Sequence, residues 1–167
     1  MAKGNIVVKV QTIDVKESPL GFHRYASDVL RAADVFESGD GSSPVPYFLH
    51  CRVIELALKA FLLAKGFPKK DLKGKLGHNL EKALNSAVRN GLQSEVTIEP
   101  KHVDVIKKAN AYYADKGFEY FELGRVVVGS KGLPYLKILA DVSSRLVSGL
   151  KDVCMREAQY RGLANHK

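Results

Sequence analysis

Residues 44–80 read PVPYFLHCRVIELALKAFLLAKGFPKKDLKGKLGHNL, and the reading of this stretch decides the fold. Ser43-Pro44 is a helix-start signal, a capping hydroxyl followed by a residue whose φ is already helical. At about 100° per residue, Leu49, Val53, Leu56, Ala57, Ala60, Leu63 and Ala64 fill one side of a helix reaching Lys65. Ile54, Leu58, Phe61 and Leu62 carry apolar surface around the back. A helix this apolar must be buried against other helices or a second subunit.

Its only charged stripe is Arg52, Glu55 and Lys59, stacked on one face by the spacings i, i+3 and i+7. Two readings follow. The stripe is the helix's solvated edge, cross-braced by the Glu55–Lys59 pair. Alternatively it lines a cleft or two-fold interface, where charge is too costly to keep without a partner.

Beyond the helix come Lys65, Lys69, Lys70, Lys73 and Lys75, set against the single acid Asp71 and interrupted by Gly66, Pro68, Gly74 and Gly77. Clustered amines repel one another and glycines break helices, so an exposed turn is expected. Gly77-His78-Asn79-Leu80 then opens a further helix, whose free N–H groups and dipole favour an anion such as phosphate. A solvated basic loop is the plainer alternative. His78, just inside that helix start, is either a packed or capping ring or a group beside the anion.

Working outward, Ser18-Pro19 starts a helix to about Phe36 with Tyr25, Val29, Ala32, Ala33 and Phe36 inward. The helix opened at Gly77 stops at Asn90-Gly91. Glu99-Pro100 opens another, with Val103, Ile106, Ala109 and Tyr113 as its inner face. The longest helix follows Gly132-Leu133-Pro134 and runs to about Tyr160 on Leu136, Leu139, Val142, Leu146, Leu150 and Val153. Five helices joined by moderate turns predict an all-α, four- to five-helix up-and-down bundle. Residues 1–17 read as an arm or short strand, 18–160 as one domain and 161–167 as a tail. Arg125 to Val128 is a candidate strand that could pair with the arm as a short β-ribbon.

The 167 residues, 46% of them hydrophobic, suffice for one well-buried domain. No apolar run approaches the roughly 20 residues that cross a membrane. The opening Met1-Ala2-Lys3-Gly4 lacks a signal-peptide pattern. The expectation is therefore a cytoplasmic protein whose Cys51 and Cys154 are free thiols. The scattered histidines His23, His50, His102 and His166 predict no metal site, and no cofactor is implied. A formal charge of +8 favours a polyanionic partner. Tyr112, Tyr113 and Tyr120 could stack on bases or fill the core.

Glu55-Leu56-Ala57-Leu58-Lys59-Ala60, the Gly66 turn, Gly77-His78-Asn79-Leu80 with Leu84 and Ala87, and Asn110 to Tyr113 followed by Phe118-Glu119-Tyr120-Phe121 and Arg125 resemble the HEPN superfamily. HEPN stands for the higher eukaryote and prokaryote nucleotide-binding helical bundles. The resemblance covers about residues 44–155. It implies a bundle, commonly dimeric, in a superfamily holding both metal-independent RNases and noncatalytic nucleotide- or RNA-binding members. Its RNases carry an Arg, four to six residues, then a His, with a polar residue after the Arg. Here only Arg161 and His166 have that spacing, Gly162 follows the arginine, and the pair lies at the end of the chain. A base, an acid and a cation must be held rigidly to cleave RNA through its 2′-hydroxyl, so the resemblance implies a noncatalytic member.

The leading expectation is a module that binds phosphate groups of a nucleotide or RNA through Lys59, Lys69, Lys70, Lys73, Lys75, His78 and Asn79. Arg52 and Glu55 would orient Lys59. The alternative is a protein-interaction module, a homodimer or the partner of a second factor such as a nucleotidyltransferase, using the apolar surplus of the central helix. A ribonuclease ranks third.

Overall fold

The computed structural model describes residues 18–37, 43–118 and 133–164, without the side chains of residues 158 and 161–164. They form an all-α helical bundle: α1 (Pro19–Asp34), α2 (Val45–Ala64), α3 (Leu80–Arg89), α4 (Pro100–Tyr113), α5 (Leu136–Gly149) and α6 (Lys151–Ala164). No strand occurs among the described residues. Residues 1–17, most of the 118–128 segment and the end of the tail, the places of the expected ribbon and tail, lie outside them. No helix of the described residues is long and apolar enough to cross a membrane.

α2 is the axis of the bundle and touches all five other helices. From His50 to Leu63 every residue except Arg52 is buried, and Ile54, Leu58, Phe61 and Leu62 lose all exposure. Its apolar surplus is thus consumed inside the chain.

The start signals act as their chemistry dictates. Ser18 Oγ accepts the Gly21 N–H at 2.9 Å, with Pro19 in the first turn of α1. α4 starts with a capping box in which Glu99 N donates to His102 Nδ1 at 3.1 Å. α2 begins one residue later than Ser43-Pro44 predicts, because Pro44 itself takes the cap position.

Three further features differ from the sequence reading. α1 buries His23, Ala26 and Ala33, whereas Tyr25, Ala32 and Phe36 are exposed. The inner face is turned toward His23, whose Nε2 meets the Val147 carbonyl at 2.7 Å. The lysine stretch is coiled: one helical turn, Lys69–Asp71, runs into a π turn, Leu72–Leu76, held down by buried Leu72 and Leu76. The long last helix is two, divided at Leu150. A Cβ on Gly149 would stand 2.5 Å from Val96 Cγ2 and 3.2 Å from the Glu95 carbonyl, so the glycine lets the segment before α4 press against the end of α5.

Candidate functional site

The charged stripe of α2 is not a solvated edge. Glu55 is 1% exposed and Lys59 8%. A carboxylate so buried survives only when its oxygens are filled, and Glu55 is filled from three elements. Lys59 Nζ donates to Oε1 at 2.5 Å from one turn along α2. Oε2 accepts from Arg52 at 3.1 Å and from the Tyr113 hydroxyl, at the end of α4, at 2.5 Å. His78 Nδ1 lies 3.2 Å from the same oxygen.

These contacts decide the ionisation. Burial alone opposes charging Glu55, but hydrogen bonds from Lys59 and Tyr113 and the charges of Lys59 and Arg52 outweigh it and hold the carboxyl below its ordinary range. Burial, then the Glu55 charge, pushes the Tyr113 phenol well up, so it stays a donor.

Gly77 closes the arrangement. Its φ of +54° is a conformation L side chains rarely adopt, and its carbonyl accepts a second hydrogen bond from Lys59 Nζ at 2.7 Å. The lysine turn is thereby fastened to the middle of α2. Between them lies a cavity of about 350 Å³ lined by Phe22 of α1, Arg52, Glu55, Leu56 and Lys59 of α2, and Lys69, Leu72, Lys73, Gly77 and His78. Four cationic side chains face one carboxylate there.

Of the residues singled out from the sequence, Arg52, Glu55, Lys59, Lys69, Lys73 and His78 therefore share one cavity. Lys70 is exposed outside its lining, and Lys75 points to solvent, paired with Asp71 at 2.9 Å. His78 precedes α3 rather than lying in it, because Asn79 is the cap: its Oδ1 accepts the Lys82 N–H at 2.8 Å. The Leu80 N–H is taken by Asn110 Oδ1, also at 2.8 Å. Side chains of the protein thus use N–H groups that the sequence reading offered to an anion, and the cations that line the cavity are those of α2 and the turn. Arg161 carries no described side chain and His166 lies outside the described residues.

Two participants are not among the site residues read from the sequence. Gly77 contributes only a carbonyl and a turn. Tyr113 is read as an inner-face residue, and the signal for more was present: it ends an otherwise apolar stripe, and a buried phenol needs a hydrogen-bond partner.

The buried histidines other than His23 are held by side chains of α5. His50 Nδ1 meets Ser143 Oγ at 2.9 Å, and His102 Nε2 meets Asp141 Oδ2 at 2.9 Å. Among the described residues no group of three His, Cys, Asp or Glu side chains could hold a metal ion. No family model, no curated protein and no solved structure matches the chain.

Proposed function

We propose that the chain is a noncatalytic, HEPN-like module that binds phosphate groups of a nucleotide or RNA in the cavity between α1, α2 and the lysine turn. One observation carries this reading: Arg52, Lys59, Lys69 and Lys73 converge on a ligand-sized hollow whose single carboxylate is already engaged by its neighbours. An anion entering there meets Arg52 and Lys59, held by their contacts with Glu55, beside the exposed Lys69 and Lys73. The all-α bundle is compatible with the HEPN resemblance, and Glu55, Lys59 and Gly77-His78, which carry that resemblance, all line the cavity.

The apolar side chains of α2 from Cys51 to Leu63, which the interaction-module alternative would use, are buried within the chain, and this supports the phosphate reading over it.

The test is a titration of labelled single-stranded RNA, and separately of ATP and GTP, at two salt concentrations. Lys69→Ala/Lys73→Ala should weaken binding and, for RNA, flatten the log–log salt slope by about 1.4, from about 0.7 per phosphate contact. Lys70→Ala/Lys75→Ala, outside the cavity, should do neither. RNA recovered intact fits a binder. Absence of saturable binding at low salt sinks the reading, and cleaved RNA would make the protein an enzyme.

A further inference from the structure

A carboxylate in a cationic cavity subtracts from the pull on an anion, so the place of Glu55 calls for an account beyond charge. What it adds is a fixed imidazole. Its oxygens receive hydrogen bonds from Lys59, Arg52 and Tyr113, and the two cationic groups can only donate. Glu55 is therefore an acceptor, and the hydrogen on the 3.2 Å line to His78 belongs to Nδ1 of the ring. In a neutral imidazole the opposite nitrogen is then a lone pair. Nε2 has no partner among the described residues, the side chain is 55% exposed, and the ring belongs to the cavity wall beside Lys69 and Lys73. The Tyr113 ring meets it edge-on at 6.3 Å and limits its tilt.

A lone pair repels a phosphate oxygen and accepts a hydroxyl. Resting on the phosphate reading above, we infer that His78 Nε2 accepts a sugar hydroxyl of the ligand while the lysines take its phosphate, so that the cavity selects ribose phosphates over their deoxy counterparts. His78 is then a specificity-determining residue, with Glu55 as its positioning residue.

The test compares three oligonucleotides of one sequence by fluorescence anisotropy at a single low salt concentration: RNA, DNA, and RNA bearing 2′-fluoro groups, which keeps the RNA sugar pucker but has no hydroxyl to donate. Wild type should bind RNA roughly fivefold tighter than either of the others, the scale of one net hydrogen bond. His78→Phe, which keeps a ring and loses Nε2, should bring the three affinities together near the DNA value. Equal affinities in wild type, or an RNA preference unchanged in His78→Phe, overturn the inference. If the variant does not fold, RNA against 2′-fluoro RNA on wild type still decides. Tripolyphosphate, which has no hydroxyl, is the control: its competition for the site supports the phosphate reading by itself. Failure of all the oligonucleotides and tripolyphosphate to bind overturns both.

Discussion

The hydroxyl of Tyr113 donates to Glu55 Oε2 at 2.5 Å across 58 positions of sequence, tying the end of α4 to the centre of α2. Around that contact the bundle and the cavity share their supports.

Tyr113→Phe removes one donor from a carboxylate that is almost wholly buried. A hydrogen bond to a charged group is worth about 1.5–3 kcal/mol, so the variant should lose about 2 kcal/mol. The measurement is urea unfolding: the midpoint should fall with the slope unchanged. A variant as stable as wild type would show the contact to be idle.

Glu55→Gln or Lys59→Met alone strands a buried charge, at a cost of about 3–5 kcal/mol. The double variant strands neither, so its loss should be smaller than the sum of the two. Additive losses in the double-mutant cycle would mean that the pair is not coupled.

The acid limb of stability carries a signature of Glu55. Its carboxyl titrates lower in the folded chain than its ordinary value of 4.5, so on acidification the unfolded chain takes the proton first. The stabilisation is complete above about that ordinary value and drains away as pH falls through the lower folded value. Denaturation midpoints of wild type and Glu55→Gln, well separated at pH 6.5, should close together toward pH 3. Asp141, also shifted downward by its bond to Arg145, is common to both proteins and cancels. A gap that stays constant with pH would refute the assignment.

Gly149→Ala places a methyl group against Val96 Cγ2 and the Glu95 backbone. Overpacking of this kind costs about 1–3 kcal/mol. Adding Val96→Ala should recover part of the loss in thermal unfolding, leaving the share due to the carbonyl. No recovery would place the strain elsewhere.

Cys51 and Cys154 are both fully buried, and burial raises both thiols, Cys154 to about 12. Neither should react with a thiol reagent at neutral pH in the folded protein, and both should react in denaturant. Rapid labelling of the native chain would contradict this burial.

The helices were legible in the sequence because their signals are local: Ser18-Pro19, Glu99-Pro100 and Asn90-Gly91 each carry their chemistry within a few residues. Burial of α2 was legible too, since a helix apolar on nearly every side has nowhere else to go. What covers its charged stripe was not. A helical wheel shows that Arg52, Glu55 and Lys59 share a face, but the groups that enclose it, Tyr113, His78 and the Gly77 carbonyl, arrive from distant segments. The same holds for the division at Leu150, beside which Val96 meets Gly149, and for the turn of α1 toward Val147. Lysine spacing likewise could not separate Lys69 and Lys73 from Lys70 and Lys75, because the π turn decides which of them face α2.

The Lys59 bond to the Gly77 carbonyl has a consequence for how such a protein can change over generations. Glu55, Lys59 and Gly77 of the cavity wall, with Tyr113 bonded to Glu55, are also a keystone of folding, so substitutions there risk the whole chain before they can alter what it binds. Lys73 lines the cavity from an exposed position. Diversification of ligand preference is therefore channelled to the exposed rim, and descendants of this chain would differ there while keeping the same linked four.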